Sequence, residues 1–287
     1  MTVRSFLRTL CLTTAALAAA VVLYLGVTLP PAALELDGAA TASEIRGAYH
    51  IHTSRSDGTG TVDEIAAEAA RAGLSFIILT DHGDATRPPD PPTYRHSVLV
   101  IDAVEISTTL GHVVALGLKM ASPYPLAGQP RDVVEDIHRM GGKAVVAHPD
   151  SPKPDLRWRG LSVPFDGIEW LNVDSEWRDE PATRVVAQAV RAMVRGPQAI
   201  AALFSRPVRT FERWDSAAIR RPVFGLAALD AHANIPWRDG DEPRTRSALA
   251  RPSYETMFRT VAQSVRLDGP LSGDPARDAD RVLSAIA

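Results

Sequence analysis

Six of the eight histidines in this 287-residue chain stand where an apolar run begins or ends: His50, His52, His82, His112, His148 and His232. Acidic residues accompany them at Asp57, Asp81, Glu105 and Asp230. Imidazole and carboxylate without thiolate suit Zn, Mn or Fe(II), and such an ion, open to water, polarises an ester and makes hydroxide accessible near neutral pH. The single cysteine, Cys11, can form neither an internal disulfide nor a Cys-x-x-Cys pair, so metal must be held by histidine and carboxylate. His50 and His52 are two apart on a candidate strand, so both imidazoles face one side and reach one ion, and Asp230 and His232 repeat the spacing. Asp81 reads as a partner that orients a ligand. The remaining nine residues, His50, His52, Asp57, His82, Glu105, His112, His148, Asp230 and His232, are too many for one ion and imply two or three. An isolated histidine is more often a core or surface residue than a ligand, and His96, in a loop, and His138, on a helix, are given no chemistry.

Residues so distant in sequence meet only if strand ends open onto one face, as in a parallel β/α barrel. From Glu44 onward short apolar runs alternate with helical patterns, the rhythm of β/α units. Strands are expected at 45–52, 74–79, 97–106, 112–118, 144–147, 167–171 and 223–229. One helix starts at Thr61-Val62-Asp63-Glu64, which has the spacing of a capping box, and ends at Gly73. Others are expected at 131–140, across the Ala- and Val-rich stretch 182–204, and from 278 onward. Loops fall at the proline-rich 87–92 and the charged 239–246. The chain stops inside a helical pattern, as a piece of a longer protein would.

The 31 basic and 34 acidic side chains nearly balance, which argues against a nucleic-acid-binding patch. Their placement is uneven. Residues 9–34 carry no charge, and only Arg4 and Arg8 precede them. Such a run is long enough to cross a bilayer, with its positive flank on the cytoplasmic side and the remainder of the chain facing outward. A signal peptide would place a small-x-small cleavage site directly after a shorter apolar core, whereas Ala40-Thr41-Ala42 lies well beyond Pro30-Pro31, so an uncleaved anchor is the favoured reading. The division is then an anchor over 1–34 and one domain over 35–287, with a helical insertion at about 181–220. Without Arg4 and Arg8 the formal charge moves from −3 to −5, so an anionic substrate would depend on metal ions for positive charge.

The ordered motifs resemble the PHP (polymerase and histidinol phosphatase) family of metal-dependent phosphoesterases: "HIHTSRSDG" from His50 to Gly58, "LTDH" ending at His82, Glu105 in "VEIST", His112 in "GHVVALG", "AHPD" with His148, and "ALDAH" from Ala228 to His232. That resemblance implies an α/β fold, a distorted TIM-like (β/α)7 barrel behind the N-terminal transmembrane helix. It implies that one metal takes His50, His52, Glu105 and Asp230, a second shares Glu105 and adds His112 and His148, and a third takes Asp57, His82 and His232. It further implies phosphate-ester hydrolysis by a hydroxide bridging the first two of two to three Mn, Zn or Fe ions, with Glu105 and Asp230 central to catalysis.

Among loop cations Arg55, Lys153, Arg157, Arg159 and Arg238, Arg55 is the best choice for a phosphate-binding catalytic residue because it lies between ligands. Trp170, Trp177, Trp214 and Trp237 are read as packing residues. The expected substrate is a phosphorylated small molecule or an envelope phosphoester, met in the periplasm or outside the cell by a membrane-anchored enzyme, or a secreted one if the leader is cleaved. Amidohydrolase-type chemistry and a non-catalytic metal-binding scaffold are the alternatives.

Overall fold

The computed structural model describes residues 3–32, 43–160, 162–233 and 252–287. Ala40-Thr41-Ala42, Trp237, Arg238 and the 239–246 loop lie outside the described residues. In chain order the elements are α1 (Val3–Thr28), β1 (Glu44–Ile51), α2 (Val62–Arg71), β2 (Phe76–Leu79), β3 (Thr93–Arg95), β4 (Val98–Asp102), β5 (Val104–Thr108), β6 (Gly111–Leu116), α3 (Pro130–Arg139), β7 (Lys143–Val146), β8 (Gly167–Asn172), α4 (Val173–Arg178), α5 (Ala182–Ala201), α6 (Val208–Ala218), β9 (Phe224–Ala228), α7 (Tyr254–Thr260), β10 (Gln263–Arg266) and α8 (Pro275–Ile286). Two compact units result, one of residues 1–36 with 181–203 and one of the rest.

In the first unit α1 is long and apolar enough to span a membrane. Its last turn meets α5: the Arg191 guanidinium lies 5.4 Å from the centre of the Tyr24 ring and donates from Nε to Thr28 Oγ1 at 3.2 Å, and Arg195 donates to the Pro30 carbonyl. Two cations at the carbonyl end of a helix complement its dipole. Helix α5 breaks from helical geometry at Arg195 (φ −135°, ψ 71°), two residues before Pro197, whose ring cannot be fitted inside a regular helix.

The second unit is α/β. Its strands form two five-stranded sheets, β10-β1-β2-β4-β3 and β5-β6-β7-β8-β9, with β6 antiparallel to both neighbours. Strand pairing therefore departs from the expected ring of seven strands. The sheets touch at both ends through single bridges, Ile51 to Ala231 and His82 to Glu105. They also share one interior core: Tyr49, Phe76, Ile78, Leu99 and Ile101 from the first sheet meet Val114, Leu116, Val145, Leu226 and Ala228 from the second. A second apolar layer, with Val134 and Ile137 of α3 and Ala217 of α6, covers the outer face of β6 and β7.

The strand expected at 97–106 breaks at Ala103 into β4 and β5, which belong to different sheets. The break turns the chain from one sheet to the other and places Glu105 beside the end of β2. Strand β10 was not expected, because Gln263–Arg266 buries only Val265 and lacks an apolar alternation, yet it completes the edge beside β1. The capping box of α2 is formed as expected, with Thr61 and Glu64 bonding reciprocally.

Helix α7 braces the loop that follows β1. The Tyr254 hydroxyl donates to the His52 carbonyl at 2.8 Å and accepts from the Thr59 and Gly60 amides at 3.1 and 3.2 Å. Gly58 is required where it stands, because a Cβ there would lie 2.2 Å from the His52 carbonyl oxygen. Tyr254→Phe takes this partner from the buried His52 carbonyl and Gly60 amide, while the Thr59 amide keeps its bond to the His232 carbonyl at 3.0 Å, and chemical denaturation is expected to show a loss of about 2 kcal/mol. An unchanged unfolding midpoint would show the brace to be dispensable.

Candidate metal centre

The nine residues singled out by type converge on one end of the second unit, and the backbone is bent to bring them there. In β1 the pairing with β2 slips by one residue between Tyr49 and Ile51, leaving His50 as a bulge with φ 65°. Simple alternation would put Tyr49 and His50 on opposite faces. The bulge lets Tyr49 fill the interior core while His50 and His52 both face the cluster above it. A second slip in β8, between Glu169 and Leu171, serves Glu169 and Asn172 in the same way. His148 and Asp230 also have positive φ, 29° and 51°. Left-handed backbone at non-glycine residues costs of the order of 1–3 kcal/mol each and is concentrated at functional sites.

Glu105 is the hub. Its Oε1 lies 2.9 Å from His112 Nδ1 and 2.8 Å from His148 Nε2, and its Oε2 lies 3.2 to 3.4 Å from ring nitrogens of His82, His52 and His50. His112 reaches it across the β5–β6 hairpin, where Ser107 pairs with His112 and Glu105 sits two residues back on the same face. Asp230 Oδ1 stands 3.4 and 3.3 Å from His50 and His52 Nε2. Asp57 Oδ2 stands 3.2 Å from His232 Nε2 and 3.5 Å from His82 Nε2. Four overlapping groups could each hold an ion: His52, Asp57, His82 and His232; His50, Glu105 and His148; His50, His52 and Asp230; and His82, Glu105 and His112.

The donor set fits cations. The Nδ1 of His50 donates to Glu169 Oε1 at 2.5 Å, that of His148 to the Leu156 carbonyl at 3.1 Å, and that of His232 to the Asp230 carbonyl at 2.9 Å. Each neutral ring then presents a lone pair at Nε2, aimed at carboxylate oxygens that are themselves acceptors, and His50 and His52 Nε2 approach to 3.1 Å. Lone pairs converging in this way need a positive charge between them. In the metal-free protein protons supply it. Burial pulls the His148 and His232 pKa values down, but Glu105 and Asp57 outweigh it and push each up to about 9. Burial raises the Glu105 and Asp230 carboxyls, yet the surrounding histidines, His50 foremost, hold both well below the usual range.

Several supporting residues carried no motif signal. Glu169 Oε2 accepts from the His148 amide at 2.7 Å and Asn172 Nδ2 at 2.9 Å, so one buried carboxylate fixes two ligand residues. Its trace in the sequence is a lone acid inside the apolar strand 167–171. Asp81 is a partner of the loop, accepting from the Thr53 amide at 2.7 Å and the Ser56 hydroxyl at 2.7 Å. Arg55 lies outside the cluster, paired with Asp90 and with Asp102 at 3.4 Å. Arg157 and Arg159 donate to loop carbonyls of Ser151, Pro154 and Thr109. Trp170 stacks on Phe211, and Trp214 and Trp177 donate to the Val223 carbonyl and Asp174.

An α/β unit with bulged strand ends here carries a buried histidine–carboxylate cluster able to hold metal. The PHP domain family matches residues 48–124. An uncharacterized protein of Methanocaldococcus jannaschii is 30% identical over 138 residues, covering 43% of this chain and 79% of that one. The chain belongs to the PHP domain family. Among solved structures it is similar to a two-domain protein of Bacteroides vulgatus containing a predicted PHP-like metal-dependent phosphoesterase (14% identity, 89% of this chain and 67% of that one, TM-score 0.43). It is also similar to the lesion-specific endonuclease Q of Pyrococcus furiosus (16% identity, 44% and 42%, TM-score 0.32).

Because His148 and His232 keep their protons up to about 9, an ion entering at neutral pH must displace them. Metal affinity is therefore expected to rise with pH to about 9. Calorimetric titration at pH 7 in buffers of different ionisation enthalpy should register net proton release, and heats that do not depend on the buffer would contradict it.

Proposed function

We propose that this protein hydrolyses phosphate esters at a centre of two to three divalent ions, Mn, Zn or Fe. The observation that carries the reading is the set of imidazole lone pairs facing carboxylates around Glu105, in a chain of the PHP family. His50, His52, Glu105 and Asp230 would hold one ion; Glu105, His112 and His148 a second; Asp57, His82 and His232 a third. Glu105 offers its two oxygens to different histidines, as a ligand shared between two ions must. When bound, the ions polarise phosphoryl oxygens and acidify water. The protein's part is to keep Glu105 and Asp230 ionised, hold the His50, His148 and His232 rings in the tautomer protonated at Nδ1 so that the Nε2 lone pair faces the centre, and preserve this geometry against the strain at three of the proposed ligand residues.

The two sheets, sharing one core, are read as the arcs of a distorted (β/α)7 barrel. Residues 1–34 are read as an anchor and 35–287 as the catalytic domain, with an insertion at about 181–220. With Arg4 and Arg8 in the first turns of α1, this domain faces outward, where its substrate is a phosphorylated small molecule or an envelope phosphoester.

The full chain, loaded with Mn or Zn, should release phosphate from an aryl phosphate, and Asp230→Ala or His50→Ala should lower the rate by at least about a thousandfold. Full turnover in both variants would end the assignment. For the topology, alkaline phosphatase fused after Glu35 should be active in intact cells, and an inactive fusion would reverse the orientation.

A further inference from the structure

A cleft of about 380 Å³ opens beside the centre, walled on one side by Asp81 and His82. Its size falls within the range of small-molecule sites. Two of its lining residues, Arg55 and Arg87, belong to a closed network. Arg87 donates to Asp102 Oδ2 at 2.5 Å and Asp90 Oδ1 at 3.0 Å, while Arg55 donates to the same two carboxylates. The Asp90 amide also donates to Asp102 at 2.8 Å, which ties the proline-rich loop to the end of β4.

This arrangement decides what the arginines can do. Each guanidinium spends both terminal nitrogens on aspartates, so the edge that would grip a phosphate is occupied. The flat faces take no part in these bonds, and the two side chains, which line the cleft, remain 38% and 50% exposed. Asp90 and Asp102 cancel the two arginines, and Asp81 and Asp84 add negative charge to the lining, so the arginines offer no attraction to a second anionic group. The rest of the lining is largely apolar, including Ala103, Val104 and Leu118. Guanidinium faces held in place, with an apolar lining, favour an uncharged planar ring.

We infer that this cleft seats the organic part of the substrate, and that the preferred ester carries one flat aromatic or heteroaromatic ring and no second negative charge. The inference rests on the phosphoesterase reading for its substrate class, and His82, which belongs both to the cluster and to the cleft wall, joins the two. It also reassigns Arg55 from holding phosphate to stacking.

Benzyl phosphate and cyclohexylmethyl phosphate separate these ideas, because they match in size, charge and leaving group and differ in flatness. The metal-loaded full chain should show a kcat/KM at least about tenfold higher for the benzyl ester. Arg87→Leu and, separately, Arg55→Leu should bring that ratio towards one. The corresponding phosphonates, which cannot be hydrolysed, should show the same preference in binding by calorimetry. A wild-type binding ratio near one overturns the inference, as does a preference that both variants retain. If neither ester is turned over while the phosphonates still discriminate, the ring subsite stands and the hydrolase reading falls.

Discussion

A carboxylate buried among five imidazoles is the constraint from which the rest of this molecule follows. Glu105 is 1% exposed, and an ionised group in that position is tolerable only if positive charge surrounds it. Its partners come from the ends of β1, β2 and β7 and the start of the antiparallel β6, so these strand ends must all lie at the same level. The two sheets are therefore brought together where the His82 and Glu105 backbones bridge. The core of Tyr49, Phe76, Ile78 and Leu226 beneath supplies the apolar burial that holds the polar layer in place.

The polar layer is bought with local strain. His50, His148 and Asp230 adopt backbone conformations that a regular strand would not, and each is a proposed ligand. The bulges at His50 and in β8 are what allow one strand to give the core a large side chain and the cluster a polar one in consecutive positions. Once cations neutralise the converging donors, that strain is opposed by the strongest interactions in the fold. Without them His148 and His232 hold protons in their place.

The ligand types were legible in the sequence because imidazoles at the ends of apolar runs are chemically conspicuous, and all nine residues lie in the cluster. The means of gathering them was harder to read. Two-residue spacing suggested that His50 and His52 share a face by alternation, whereas a bulge makes them do so. Glu169, which orients His50 and also bonds the His148 amide, looked like any acid in a strand, since its role depends on partners 119 and 21 residues away. The apolar runs revealed most strands, but they hid the break at Ala103 because the residues on either side are equally apolar. Strand β10 escaped because an edge strand with one buried side chain leaves no pattern. Arg55 was drawn towards phosphate by its neighbours in sequence, and the Asp90 and Asp102 that occupy it lie 35 and 47 residues away.

The antiparallel seat of β10 on β1 has a meaning in time. Glu44 pairs with Arg266, so the strand that carries His50 gains its outer neighbour only after the long stretch between them has been made. The Tyr254 brace on the His52 loop arrives equally late. A chain emerging from its amino end offers two histidines early, then waits for Asp230 and for the edge that fixes their strand. A metal that needs the whole donor set would meet it only after these late segments have been made, in the compartment the chain then occupies. Since these donor types accept several first-row metals, the supply in that compartment decides which one the centre holds.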